Sequence, residues 1–243
     1  MTDVLELLKN DAEYYKGVGK NYLSNSDIGT LLNNPQMYGI PLDDSKAFAE
    51  GRYFHQLMIE PEKAKLTLLC DVSSRTTKEY KRFCEDNAVD FCLLKKEADD
   101  IERLAGVMRN NMTFFDDIYR HDNEYEIPAI GNIKGKMWKG KADIVCSDML
   151  IDLKTTSDIN KFKYSAKSYN YDSQCYIYET LFGKPLTFFV IDKNTAQLGI
   201  FKPSESFLES GEAKVEQAIS VFNKFFGPTP TENIDTYYIQ ETL

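Results

Sequence analysis

The chain has 243 residues, of which 42% are hydrophobic and 28% charged, with a formal net charge of −9. This composition excludes a disordered or fibrous polymer and suits one sizeable folded domain; no apolar run approaches the roughly 20 residues that cross a bilayer. The negative balance also argues against a protein that coats DNA by charge alone, because such affinity rests on neutralising phosphates.

The amino terminus carries Asp3 and Glu6 and has no basic leader region, so neither a secretory signal nor a membrane anchor is expected and a cytoplasmic location follows. Residues 24–33 read as a helix capped by Ser24 or Ser26 and stopped before Pro35. A second helix spans 47–59 and ends at Pro61. Residues 66–71 suit a strand, and the spacing over 76–87 and 96–110 predicts two amphipathic helices. Strand-like runs follow at 124–130, 133–145 and 150–155, punctuated by Gly131, Gly135 and Gly140. Helix returns over 173–182, strands over 186–191 and 197–201, and a long helix over 206–226, with a loosely held tail beyond Pro228. These elements imply a mixed α/β core. The five cysteines are odd in number and form no CxxC pair, so they read as reduced structural thiols. An iron–sulfur cluster needs four convergent thiolates, and no cysteine follows Cys175 to close one.

Between Lys134 and Lys167 lie eight lysines and four acids, a basic stretch within an acidic chain that suggests a local anion site. Its centre is Asp143-Ile-Val-Cys-Ser-Asp-Met-Leu-Ile-Asp152-Leu-Lys154. A hairpin turning at Ser147-Asp148 sets Cys146 against Met149 and therefore Asp143 against Asp152. Lys154 shares their face because strand side chains alternate. Two carboxylates placed so closely repel unless a cation lies between them. Magnesium is commonly held by one or two carboxylates together with water and phosphate oxygens. A neighbouring lysine can orient water or offset charge on a phosphate, so the set suits phosphodiester hydrolysis.

Asp143 followed by Asp152-Leu-Lys154-Thr-Thr resembles the PD-(D/E)XK nuclease signature, with Ala142 where the family has proline. Further segments resemble RecE-type phage and prophage exonucleases in the expected order. These are Leu23-Ser-Asn-Ser26 before Pro35, the histidine-bearing Gly51-Arg-Tyr-Phe-His55, Arg75-Thr-Thr-Lys78, and the helix carrying Gln174 and Tyr178. The resemblance implies a restriction-endonuclease-like α/β core over residues 22–226, a central mixed sheet flanked by helices. Residues 1–21 then form an amino-terminal extension and 227–243 a tail. It further implies that Asp143, Asp152 and Lys154 are catalytic, and that His55 and Glu124 join Asp143 and Asp152 around the metal, with Glu126 the alternative to Glu124. Gln174 and Tyr178, and the basic pair Arg75 and Lys78, would contact substrate.

The function expected on this basis is a magnesium-dependent deoxyribonuclease, with manganese a substitute. The resemblance makes it an exonuclease that acts on double-stranded DNA ends in phage-type recombination, beside a single-strand annealing protein and as a homo-oligomer. The alternatives are an endonuclease, or a non-catalytic DNA-binding or assembly protein on the same fold.

Overall fold

The computed structural model describes residues 3–41 and 43–240. Two short helices open it, α1 (Val4–Leu8) and α2 (Asp11–Tyr15), capped by the side chains of Asp3 and Asn10. In α3 (Asn25–Asn33) the Asp27 carboxylate accepts from the Ser24 backbone N–H at 2.7 Å, closing the first turn. Then α4 (Lys46–Ile59) begins at Ser45, whose hydroxyl accepts from the Phe48 N–H, and gives way to α5 (Pro61–Ala64). The segment expected as a strand over 66–71 shortens to β1 (Leu69–Cys70), because Leu66 faces solvent. After α6 (Lys78–Asp86), β1 pairs in parallel with β2 (Leu93–Leu94), apart from the main sheet. Two further helices, α7 (Lys95–Asn110) and α8 (Met112–Ile118), lead into that sheet.

The central sheet has five strands in sequential order: β3 (Glu124–Ile133), β4 (Lys136–Val145), β5 (Leu150–Thr156), β6 (Leu186–Asp192) and β7 (Leu198–Phe201). Strands β5 and β6 run parallel and the other neighbours antiparallel, so the sheet is mixed. The parallel step needs a crossover. It is made by α9 (Phe162–Ser168) and α10 (Tyr171–Phe182), and α11 (Glu205–Phe225) follows β7. The β3–β4 turn falls at Lys134-Gly135, where φ is +50° and +81° and the Asn132 side chain accepts from the Gly135 N–H. Gly131, read from sequence as turn punctuation, sits inside β3, where a Cβ would come within 2.8 Å of the Leu181 side chain of α10. Its missing side chain serves packing.

Alternation along the strands builds two cores. Ile144, Ile151, Leu153 and Phe189 pack against Phe54 and Met58 of α4 and Leu104 and Met108 of α7. On the opposite face Val145, Leu150, Phe188 and Val190 pack against Cys175 of α10. Beyond these, α3, α10 and α11 close around the fully buried Trp138. The amino-terminal helices belong to this body: Leu8 has no exposure, and Lys63 and Lys141 both bind Asp11. Near the carboxyl end the Tyr237 ring meets Phe225 edge-on, and Lys224 pairs with Glu232 at 3.0 Å.

Candidate active site

Strands β4 and β5 follow the register read from the sequence, with Val145 opposite Leu150 and Ile144 opposite Ile151, and then they part. Continued inward, that register would set Ala142 against Leu153 in a hydrogen-bonded pair. Instead the Leu153 N–H donates to Oδ2 of Asp143 at 2.8 Å, and the Leu153 carbonyl accepts from Nε2 of His55 at 2.6 Å. Side chains have replaced a rung of the ladder. The other side of β4 is broken at the same level: Tyr125 pairs with Ile144 and Ile127 with Ala142, but Glu126, opposite Asp143, lies at φ +54° outside the ladder. A glutamate held in the left-handed region stores strain of the kind found at functional sites.

These two breaks open the sheet around Asp143, and His55 enters from α4. Because Nε2 must carry the proton it gives Leu153, Nδ1 of the neutral ring is a bare lone pair. That lone pair stands 3.3 Å from Oδ2 of Asp143. Ligand atoms of His55, Glu126 and Asp143 all lie within 4.8 Å of one another. Burial, then the nearby Lys154 charge, holds the imidazole below its usual pKa, which keeps Nδ1 unprotonated. Burial, then the Asp152 charge, raises the Asp143 carboxyl well above the ordinary range. Burial, then the Asp143 charge, pushes Glu126 up to about 7. The two raised carboxyls favour keeping a proton among these three groups, and a divalent cation fits the same donor set and would take that proton's place.

Asp152 stands outside this trio. Its Oδ1 accepts from Nε2 of Gln174 at 2.5 Å, and its Oδ2 is in ion contact with Nζ of Lys154 at 2.5 Å. Burial alone would depress the Lys154 ammonium, but Asp152, then Tyr171 and Asp143, outweigh it and hold the group charged. The Tyr171 ring lies 4.8 Å from that ammonium. All these groups line one cleft of about 1130 Å³.

Asp143, Asp152, Lys154 and His55 thus meet at one place. Glu124 does not. It is exposed and paired with Val145, and the carboxylate at the centre is that of Glu126. Gln174 and Tyr178 reach the cleft, yet their polar ends are turned to the protein: Gln174 to Asp152, and the Tyr178 hydroxyl to both backbone groups of Lys141. They fix the strands that carry the site. Arg75 already has partners within the protein. It is bound bidentately to Glu97, donates to the Cys92 carbonyl and lies 4.5 Å from the Phe91 ring. Lys78 is exposed at the start of α6, and neither it nor Arg75 lines the cleft.

The basic stretch is likewise largely occupied internally. Lys139 donates to the Tyr14 carbonyl, Lys141 to Asp11, and Lys134 pairs with Glu212 and Glu216. The side chains of Asp11, Tyr15 and Tyr171 that line the cleft carry no motif by which sequence reading could have picked them out. The five cysteines are buried and free.

A family profile described as a PDDEXK-like domain of unknown function (DUF3799) matches residues 32–235. The chain belongs to this family. The PDDEXK-like domain therefore takes in α4, the whole central sheet and α10, the elements that carry His55, Glu126, Asp143 and the Asp152–Lys154 pair. In three dimensions it is similar to the crystal structure of a candidate exonuclease from Eubacterium rectale. The TM-score is 0.63 at 17% identity, over 96% of this chain and 95% of that one. At that identity the likeness concerns the fold. A second solved structure, SSO0001, aligns over 83% of this chain and 77% of its own at 15% identity, with a TM-score of 0.35, too low to carry an argument. No curated protein matches. Among the described residues no helix is long and apolar enough to cross a membrane.

Proposed function

We propose that this PDDEXK-like domain is a metal-dependent deoxyribonuclease that hydrolyses phosphodiester bonds. The observation that carries the reading is the convergence of His55 Nδ1, Glu126 and Asp143 beside the Asp152–Lys154 pair. In it, His55, Glu126 and Asp143 hold magnesium, or manganese in its place. Oδ2 of Asp152, in ion contact with Lys154, is a further carboxylate oxygen close by. Once bound, the cation supplies Lewis acidity toward a phosphate oxygen.

The chain's own groups do the rest. The charged Lys154 faces the developing negative charge on the phosphate, and Asp152 holds that ammonium in place. Gln174 fixes the Asp152 rotamer, and Tyr178 pins β4 at Lys141 so that Asp143 stays at the mouth of the opened ladder. The low-dielectric walls given by burial strengthen each of these interactions.

Within this reading the preferred activity is that of a RecE-like exonuclease on double-stranded DNA ends, working as a homo-oligomer beside a single-strand annealing protein. Its support is the order of sequence segments around His55, Asp152 and Gln174. Incubation with linear and closed circular duplex DNA, in magnesium or in chelator, tests it. Magnesium-dependent loss of linear DNA alone is expected. Cutting of circles would replace exonuclease by endonuclease, and intact DNA in both magnesium and manganese would remove the nuclease reading.

A further inference from the structure

The cleft is poorly equipped to grip a phosphate backbone. Carboxylates on its walls outnumber lysines and arginines by eight to five. Each of the five basic groups already has a carboxylate partner: Arg52 with Asp44, Lys141 with Asp11, Lys154 with Asp152, Lys161 with Asp158 and Lys193 with Glu50. Only Arg52 and Lys161 hold exposed side chains in these pairs. Exposed pairs exchange partners at small cost, whereas buried ones do not.

The same cleft offers flat apolar faces instead. Tyr15, Phe48 and Tyr169 line it, with 64%, 56% and 66% of their surface in solvent. Tyr169 leads inward: its ring is 5.9 Å from that of Tyr171, which lies against the Lys154 ammonium at the reacting centre. The turn between these two tyrosines is rigidly held. Asn170 sits at φ +58°, its carbonyl accepts from Asn25 and Ser173, and its side chain accepts from Lys214. An aromatic path thus runs from solvent to Lys154 on a fixed support. Phe48 stands on α4, the helix that carries His55.

Stacked base pairs inside a duplex expose their edges to a protein, while an unpaired base exposes a π-face that stacks on aromatic rings. We infer that the cleft takes a single DNA strand with unpaired bases, which stack on Tyr169 and Phe48 as its phosphate reaches the metal centre. This inference rests on the nuclease reading for the phosphate and adds the state of the bases. A duplex is then bound productively only where its end is frayed or carries an overhang. The salt dependence of binding is shallow: with at most two exchangeable cations, the slope of log K against log salt is about −1.4 or smaller in magnitude.

The test uses the full chain and a short single-stranded oligonucleotide containing 2-aminopurine, in chelator so that no cutting occurs. Binding is expected to quench the fluorophore. Tyr169→Ala and Phe48→Ala are each expected to weaken it about tenfold, Tyr169→Phe to keep the affinity of the parent, and a blunt duplex of the same sequence to compete weakly. Absence of binding, equal competition by blunt duplex, or unchanged affinity in both alanine variants overturns the inference. Cleavage is measured separately in magnesium. Unchanged affinity in the alanine variants with cleavage intact removes the stacking path and leaves the nuclease reading. Stacking without cleavage of any substrate removes the nuclease reading and leaves a single-strand binding site.

Discussion

Nδ1 of His55 stands 3.3 Å from Oδ2 of Asp143, and because Nε2 spends its proton on the Leu153 carbonyl, two acceptors face each other there. Without a cation the Asp143 carboxyl, raised by burial and by Asp152, takes up a proton there instead, so metal binding should stabilise the fold as well as enable chemistry. At a concentration of one hundred times its dissociation constant, a divalent ion contributes about 2.7 kcal/mol. For a domain of this size that corresponds to a rise of about 5–10 °C in Tm. Differential scanning fluorimetry with magnesium or manganese should show this rise in the parent chain and lose it in Asp143→Ala. An unshifted melting curve at saturating metal would count against the trio.

The choice between two glutamates can be decided directly. Glu126 sits opposite Asp143 with its pKa lifted to about 7, whereas Glu124 is exposed and held in the ladder. Removing even an outer partner of a metal ligand commonly costs about 10–100-fold in affinity or activity. Glu126→Gln should therefore raise the magnesium concentration needed for half-maximal cleavage by at least about tenfold, while Glu124→Gln should leave it within about twofold. The reverse ranking would move the site by two residues along β3.

Gln174 touches Asp152, not open solvent, so its removal should act on geometry. Gln174→Ala is expected to lower the cleavage rate by about 10–100-fold with little change in substrate affinity. Asp152→Ala should exceed that loss, and circular dichroism should show both variants folded. An effect of Gln174→Ala confined to substrate affinity would restore the substrate-contact role read from the sequence.

Arg75 and Glu97 make a prediction about stability and pH. Burial alone would raise the Glu97 carboxyl, but Arg75, the Leu94 N–H and Lys46 outweigh it and hold it down to about 2, below the ordinary 4.5. The folded pKa is depressed, so the stabilisation is complete above about 4.5 and fades as pH falls toward 2. Glu97→Gln should cost about 2–3 kcal/mol at neutral pH. Urea titrations should show the gap between parent and variant narrowing at pH 3, and a gap of equal size at both pH values would contradict the assignment. Arg75→Ala should weaken the fold similarly and leave single-strand affinity unchanged.

The hairpin was legible in the sequence because period-two alternation of Ile144, Ile151 and Leu153 fixes which residues share a face, and the Ser147-Asp148 turn fixes which oppose. Both are local properties, separated by a few residues of chain. The helix bearing His55 was legible for a similar reason, through the Pro61 that closes it. What the hairpin does at its open end was not. The Leu153 backbone turns to Asp143 and to a histidine 98 residues away, and no periodicity records a missing rung.

Glu124 and Glu126 lie on the same face of β3 by alternation, so sequence alone left both open; the break in pairing opposite Asp143 selected Glu126. Counting lysines gave a basic segment, but Lys134, Lys139 and Lys141 are bound by groups brought in from α2 and α11. Charge along a chain is additive, whereas the field in a cleft depends on which charges the fold has already neutralised. Local order wrote the strand faces and the helix ends; only packing between distant segments decided which acceptors converge, and that convergence is what makes a candidate site for a cation.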